Sequence, residues 1–335
     1  MNQFLAYHIP FRVPFRGLTA RDGLLLRGSV GWGEFSPFWD YDDAASAPWL
    51  ACALEAADVG WPTPVRTSVP VNVIVPAVSP EQARELVTTS GGCRTAKVKV
   101  AQRASASNLA VEPLDSEVAR IAAVREALAD LYGKGVGKIR VDANGGWTVA
   151  QAIEHIAELA KVAGGLEYVE QPCQTVAELA QLRRELARRG IDVPVAADES
   201  IRLAADPFRV RDLAAADIAV LKVAPLGGVR AALRIAEQIR MPVVVSSAIE
   251  TSIGLAAGLA LAGALPELPY ACGLATANLL TADVVIEPLL PHHGHLPVLP
   301  ADSPRLGPTN VAAWQAAAAL TEKWQSRFQR VQSRL

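Results

Sequence analysis

The 335-residue sequence predicts an α/β fold: a closed barrel of parallel strands, each followed by a helix, with a smaller α+β domain beside it. Three observations carry this. From Ala96 onward, short apolar runs alternate with amphipathic stretches at least seven times, and so many βα units favour closure over an open sheet. The first ninety or so residues lack that alternation. Hydrophobic residues make up 51% and charged residues 20%, which supplies a large core and argues against disorder.

The N-terminal region, residues 1–92, holds the strand-like pieces "DGLLLRGSVGWGEFSP" and "SVPVNVIV" around the Ala-rich helical stretch "AASAPWLACALEAA", as a small α+β domain does. Residues 93–290 form the barrel. Its strands are "AKVKV", "KIRVDAN", "LEYVEQP", "VPVAADES", "DIAVLKVAP", "PVVVSSAIE" and "PYACGLA", separated by helices such as "DSEVARIAAVREALADLYG" and "TVAQAIEHIAELAKVAG". The apolar stretch "SIGLAAGLALAGALPELPYACG" is rich in Ala and Gly and ends in prolines, which suits a buried helix and a strand better than a membrane span. Residues 291–335, with "HLPVLPADSPRLGPTNV" and a last helix, return to the first domain.

Charge narrows the function classes. A net charge of -2 and no Lys/Arg-rich run disfavour nucleic acid as a partner. "MNQFLAYHIPFRVPFRG" has neither the basic nor the apolar region of a signal peptide, so it reads as folded chain. Cys52, Cys93, Cys173 and Cys272 are far apart with no C-x-x-C pair, as in a cytoplasmic protein with reduced thiols.

The chemistry lies at the strand ends. Asp142 closes "IRVD", Glu170 closes "EYVE" and Asp198 closes "PVAAD", at successive separations of 28 residues, one βα unit each. Strand C-termini of a barrel converge on one mouth, so the three carboxylates meet there. Packed together they repel and raise one another's pKa unless a cation neutralises them. Hard oxygen donors without His or Cys point to Mg²⁺, with Mn²⁺ as a substitute. The alternative is that each acid caps the helix that follows it, which does not account for three in register.

Lysine usage adds to this. Of 32 basic residues only seven are lysine, and Lys97, Lys99 and Lys222 fall inside apolar strand sequences. Burial and neighbouring cations can bring a lysine into the range of a general base, which arginine cannot reach. Lys97 and Lys99 share a strand face, and Lys222 sits across the mouth. The competing reading is a lysine that snorkels outward from a strand flank. A cation among three carboxylates with lysines on both sides describes a site for removing a proton α to a carboxylate, the enediolate being stabilised electrostatically.

"KVK" at 97–99, "VDAN" at 141–144, "EQP" at 170–172, "ADES" at 197–200 and "LKVAPLGG" at 221–228, with "GWGEFSP" near the start, resemble the enolase superfamily, muconate-lactonising subgroup. The resemblance covers most of the chain. It implies a modified TIM barrel, (β/α)7β, with an α+β capping domain, and Mg²⁺ on Asp142, Glu170 and Asp198. It makes Lys99 the acid/base, Lys222 its counterpart on the opposite face and Lys97 the electrostatic support of Lys99. Mandelate-racemase-like members use a late-barrel His, and none of the five histidines lies on a late strand.

Within the subgroup, the short length and "SSAIETSIG" at 246–254 resemble members that dehydrate 2-succinyl-6-hydroxy-2,4-cyclohexadiene-1-carboxylate in menaquinone biosynthesis. There one lysine shuttles protons and the other stays a cation. N-succinylamino acid racemase and dipeptide epimerase compete, and both need two proton carriers. Dipeptide epimerases carry an Asp-x-Asp pair on the eighth strand, whereas "TADVVIEP" offers only Asp283. A non-catalytic barrel is disfavoured because the full set of acids and lysines is present.

Further residues are assigned by position. Ser246, Ser247 and Glu250 end the sixth strand and hydrogen-bond a substrate carboxylate or cap the next helix. Gly273, after the seventh, lets a succinyl tail approach the backbone. Arg140 pairs with acids inside the barrel, while Asn144 and Glu199 support the site. Arg12, Arg16 and Arg21 in "RVPFRGLTARD" are carboxylate partners in a loop expected to cover the mouth. "HHGH" at 292–295 lies in a proline-rich segment outside the barrel and is not read as a metal site.

Overall fold

The structure is a computed structural model that describes residues 3–15, 17–105, 108–203 and 206–335. In chain order it contains β1 (Phe4–Phe15), β2 (Leu18–Arg27), β3 (Trp32–Phe35), α1 (Asp43–Leu54), β4 (Ser68–Pro70), β5 (Val73–Val75), α2 (Pro80–Thr88) and β6 (Thr95–Lys99). There follow β7 (Arg103–Ser105), β8 (Asn108–Val111), α3 (Leu114–Tyr132), β9 (Lys138–Asp142), α4 (Val149–Ala163), β10 (Tyr168–Glu170), α5 (Val176–Arg188) and β11 (Val195–Ala197). The chain continues with α6 (Glu199–Arg202), α7 (Arg209–Asp212), β12 (Ile218–Lys222), α8 (Val229–Ile239), β13 (Val243–Ser246), α9 (Ser252–Ala264), β14 (His295–Pro297) and α10 (Ala318–Gln332).

Alternation builds the first sheet. Tyr7, Ile9 and Phe11 of β1 point inward while His8, Pro10 and Arg12 face solvent, and β1, β2 and β3 pair antiparallel in that order. The inner face receives α1 and α10: Trp324 and Phe328 meet Phe35 edge to face, with centroids 5.8 and 6.4 Å apart. Arg327 of α10 is buried and donates to the Pro37, Phe38 and Tyr41 carbonyls, which fastens the C-terminal helix to the first sheet.

The central sheet is parallel throughout, in the order β5, β6, β9, β10, β11, β12, β13. Its edges are joined by Cys272 and Gly273. Cys272 exchanges backbone hydrogen bonds with Pro70 and Asn72 beside β5, and Gly273 with Val245 and Ser247 beside β13. This short eighth segment closes a (β/α)7β barrel. Strands such as β12 are buried at every residue, as expected where both faces are covered. Capping boxes start three of the helices: Ser79 with Gln82 (α2), Thr148 with Gln151 (α4) and Thr175 with Glu178 (α5). Helix α9 is the buried Ala/Gly-rich segment foreseen in the sequence, and its Gly258 admits Leu274 where a Cβ would lie 2.7 Å away.

One expectation is corrected. "AKVKV" is the second barrel strand and not the first, because Val73–Val75 pairs parallel with it in the same sheet. Lys222 therefore ends the sixth strand, Ser246 the seventh, and Gly273 lies on the eighth. A three-residue strand buried on both faces carries no alternation to distinguish it from a strand of the preceding domain. "PYACGLA" contributes single bridges in place of a regular strand.

Candidate active site

Register assembles the site. Lys97 pairs with Arg140 and Lys99 with Asp142 across β6 and β9, Asp142 with Glu170 across β9 and β10, and Lys222 with Ser246 across β12 and β13. Parallel neighbours in register put side chains on the same face, so Lys99, Asp142 and Glu170 form a lateral row. Ala196, opposite Glu170, shares its face with Asp198 two residues on, which continues the row toward Lys222.

All three carboxylates and all three lysines are buried. Lys99 Nζ donates to Asp142 Oδ2 at 2.5 Å and to Asn144 Oδ1 at 2.7 Å. Lys97 Nζ bridges both oxygens of Glu170, at 3.0 and 2.9 Å, and stands 3.4 Å from Asp142. Lys222 Nζ donates to Asp198 Oδ2 at 2.6 Å, and Arg202 Nε reaches the other oxygen at 3.0 Å. Asn144 Nδ2 and Arg202 Nη2 both donate to Glu199 Oε1, at 3.2 and 2.7 Å. A continuous polar arc thus runs from Lys99 through Asn144, Glu199, Arg202 and Asp198 to Lys222.

Electrostatics follow from these contacts. Burial opposes ionisation of Asp142, yet Lys99 and Lys97 outweigh it and hold the carboxyl well below the usual range. Asp198 is held down in the same way by Arg202 and Lys222. Glu170 behaves differently: burial, reinforced by the charge of Asp142, pushes it up to about 7 against the pull of Lys97. Burial disfavours the Lys97 ammonium, but Glu170 and Asp142 more than compensate and raise its pKa. Each acid is engaged by a cationic side chain, and among the described residues no group of three His, Cys, Asp or Glu forms a metal cage.

Other assigned residues divide. Ser247 Oγ lies 2.9 Å from Thr276 Oγ1, and a Cβ on Gly273 would come within 2.6 Å of Ser246 Oγ, so the backbone approaches closely there. Glu250 folds back to accept from the Ala248 N–H at 2.8 Å. Arg140 does pair with an acid, but with Glu167 at the base of β10 and not with the strand-end acids. It also donates to Asn72 and to the Ala271 carbonyl, which ties the closing segment across the barrel. Arg12 is exposed on β1 and Arg16 lies outside the described residues. Arg21 is corrected: it is 3% exposed, with its guanidinium committed to the backbone carbonyls of Asp22, Ser36, Ala248 and Ile249. Asp283 accepts from Ser252 at the start of α9. His292, His293 and His295 are exposed around a turn.

Several residues escaped sequence reasoning, four of them beside the strand-end groups. Gln171 has a left-handed backbone (φ +40°) and a saturated buried amide that binds Ser200 Oγ, the Cys173 carbonyl and the N–H groups of Asp198 and Ser200. Its place in "EQP" was the available signal. Arg202 follows Asp198 by four residues, one helical turn, a spacing that could have paired them. Phe15, at the tip of the β1–β2 hairpin, lies with its ring centroid 5.5 Å from Lys99 Nζ. Arg120 of α3 donates to the Lys99 carbonyl, a backbone contact that no pattern announces.

Residues 79–307 match the enolase C-terminal domain-like family and residues 6–57 the enolase N-terminal domain-like family. An o-succinylbenzoate synthase of Thermobifida fusca (strain YX) is 56% identical over 325 residues, 96% of each chain. Another, of Mycolicibacterium smegmatis (strain ATCC 700084 / mc(2)155), is 49% identical over 319 residues, 95% of this chain and 92% of the other. Among solved structures, a muconate lactonizing enzyme of Pseudomonas fluorescens superposes with a TM-score of 0.74 at 21% identity, covering 94% of this chain and 98% of that one. The L-Ala-D/L-Glu epimerase of Bacillus subtilis gives the same TM-score and identity over 95% and 99%. These structural likenesses carry the fold alone. The chain belongs to the enolase superfamily and, within it, to the family of the o-succinylbenzoate synthases.

Proposed function

We propose that the chain is an o-succinylbenzoate synthase, a lyase that removes water from 2-succinyl-6-hydroxy-2,4-cyclohexadiene-1-carboxylate to give 2-succinylbenzoate in menaquinone biosynthesis. The observation that carries this is the pair of buried lysines on opposite flanks of three strand-end carboxylates, in a chain 56% identical to an enzyme of that name. The donor set of Asp142, Glu170 and Asp198 offers hard oxygens on adjacent strands, which fits Mg²⁺, with Mn²⁺ as a substitute. When bound, the cation supplies the positive charge that stabilises the enediolate.

Lys99 must first give up the ammonium proton that pairs it with Asp142, and as the neutral amine it then takes the proton α to the carboxylate onto Nζ. The resulting ammonium then returns that proton to the departing hydroxyl on the same face, so that water leaves and the ring becomes aromatic. Asp142 and Asn144 orient Nζ between the two steps. Lys222, held by Asp198, remains a cation beside the ring and needs no proton exchange. Lys97 stays charged on Glu170 and keeps a positive potential next to Lys99. Ser246, Ser247 and the backbone beside Gly273 receive the polar tail, and Arg140, Asn144 and Glu199 keep the frame in place.

The near symmetry of Lys99 with Asp142 and Lys222 with Asp198 favours one second reading, N-succinylamino acid racemisation. Two measurements separate them. The purified chain should dehydrate the cyclohexadiene with Mg²⁺, lose the activity in EDTA and regain it on adding Mg²⁺. In deuterated water it should leave the α-hydrogen of N-succinylamino acids unexchanged; rapid exchange would overturn the exclusive synthase reading. The barrel domain is taken to begin with β5 near residue 73, not at residue 93, and residues 291–335 to rejoin the capping domain. We place the protein in the cytoplasm, where its four buried free thiols stay reduced, with a small-molecule carboxylate as its partner. Among the described residues no helix is long and apolar enough to cross a membrane.

A further inference from the structure

The loop after β13, residues 247–251, departs from ordinary backbone geometry. Ile249 has φ +64°, a left-handed conformation that a β-branched residue adopts only when its surroundings hold it there. Those surroundings come from the capping sheet. Arg21 of β2 donates to the Ile249 carbonyl at 3.0 Å and to the Ala248 carbonyl at 3.4 Å, and its guanidinium is itself fixed by Ser36 and by the Phe38 ring 4.6 Å away. Two residues further on, Glu34 of β3 takes over. It is 5% exposed and accepts from Thr251 N at 3.1 Å, Thr251 Oγ1 at 2.5 Å and Gly254 N at 3.1 Å. Tyr7 and Ser36 donate to its other oxygen at 2.6 and 2.8 Å. A Cβ on Gly254 would lie 2.5 Å from Glu250 Cβ and 2.9 Å from Glu34 Oε2, so the helix start has no room for a side chain between these two residues.

We infer that Arg21 and Glu34 are positioning residues: from the capping sheet they hold Ile249 left-handed and thereby set Ser246 and Ser247 beside Lys222. The barrel alone does not complete this half of the mouth. Ser246 is the register partner of Lys222, and the clamped loop begins at the next residue, so a relaxed loop displaces Ser246 and Ser247 at the strand end beside the one that bears this lysine. The ion-like contacts of Arg21 and Glu34 act through backbone geometry alone, and neither residue touches the reacting atoms.

Two readouts test this, and only the second rests on the proposed dehydration. In hydrogen–deuterium exchange, Arg21→Met and Glu34→Gln should speed exchange of the amides of 248–254 while leaving those of 97–101 at the wild-type rate. Unchanged exchange in 248–254, or a uniform rise along the chain, would overturn the inference. In steady-state kinetics with the cyclohexadiene carboxylate and Mg²⁺, Arg21→Met should lower kcat/KM by about 10- to 100-fold, mostly through KM. Adding Ile249→Gly to Arg21→Met should recover part of the loss, because glycine takes the left-handed conformation without strain. Phe328→Leu, which weakens the packing of α10 on Phe4 and Phe35 of the capping sheet without touching Arg21 or Glu34, should lower thermal stability without moving KM. Failure of the rescue, or an equal KM shift in Phe328→Leu, would reduce Arg21 to a purely structural residue. Should Arg21→Met fail to fold, Arg21→Lys carries the same measurements, since an ammonium cannot fork to both carbonyls. Wild-type protein inactive on the substrate would sink the proposed function and leave the exchange readout standing.

Discussion

The two lysine-bearing flanks of the mouth are held from opposite directions. After β6, Ala101 is left-handed at φ +55°, and the barrel's own helices hold it: Glu117 of α3 accepts the Ala101 N–H at 2.6 Å, and Arg120 donates to the Lys99 carbonyl at 3.0 Å. The second oxygen of Glu117 meets His155 Nδ1 of α4 at 2.8 Å. After β13, Ile249 is equally left-handed, but its anchors Arg21 and Glu34 belong to the capping sheet. The difference suits the two duties proposed for the lysines. A residue proposed to carry a proton must return to one position on every turnover, and the backbone that bears Lys99 is anchored by α3 and α4 of its own barrel. A static cation and a substrate-contacting loop tolerate dependence on a second domain, as the Lys222 flank has.

Breaking the Lys99 flank should have the largest effect. Lys99→Ala is expected to lower kcat at least about 10³-fold with a much smaller change in KM, since it removes the only proposed base. Lys222→Arg should cost less, about 10- to 100-fold, because the charge survives while the hydrogen-bond geometry to Asp198 changes. A loss as deep as that of Lys99→Ala would give both flanks the same duty and remove the contrast. Glu117→Gln keeps an acceptor for Ala101 but loses the carboxylate for His155. It should lower stability by about 1–3 kcal/mol and kcat severalfold, with amide exchange at 248–254 unchanged.

The smallest effect on activity is expected at Glu250, and it appears as pH-dependent stability. Burial, then the neighbouring Glu34, pushes this carboxyl up to about 7. Because the folded pKa lies above the unfolded value of about 4.3, the folded chain favours the protonated form. That contribution is complete below pH about 4.3, declines as the pH rises through 7, and is worth roughly 4 kcal/mol at most. Glu250→Gln cannot ionise, so its melting temperature should fall less than the wild type's between pH 5 and 8. Parallel curves would show that Glu250 is charged in the fold.

Much of the site was legible because barrel geometry converts sequence spacing into space. Asp142, Glu170 and Asp198 stand one βα unit apart, and lysine within an apolar strand is conspicuous in a chain that otherwise uses arginine. The closing strands were less legible. β5 has three residues, and the eighth segment holds by single bridges, so neither has a period to read. Arg21 was misjudged because sequence marks a cation near the mouth without saying whether a substrate or a backbone carbonyl receives it. Glu34, Glu117 and Arg120 act on backbone groups more than fifteen residues away, and such contacts leave no local pattern.

The central claim is that one lysine carries the proton and the other only a charge. Its most direct test is the turnover of Lys99→Arg and Lys222→Arg side by side, with Mg²⁺ and the cyclohexadiene carboxylate. Lys222→Arg should yield measurable 2-succinylbenzoate and Lys99→Arg none above buffer. Product from Lys99→Arg, or equal silence from both, would contradict it.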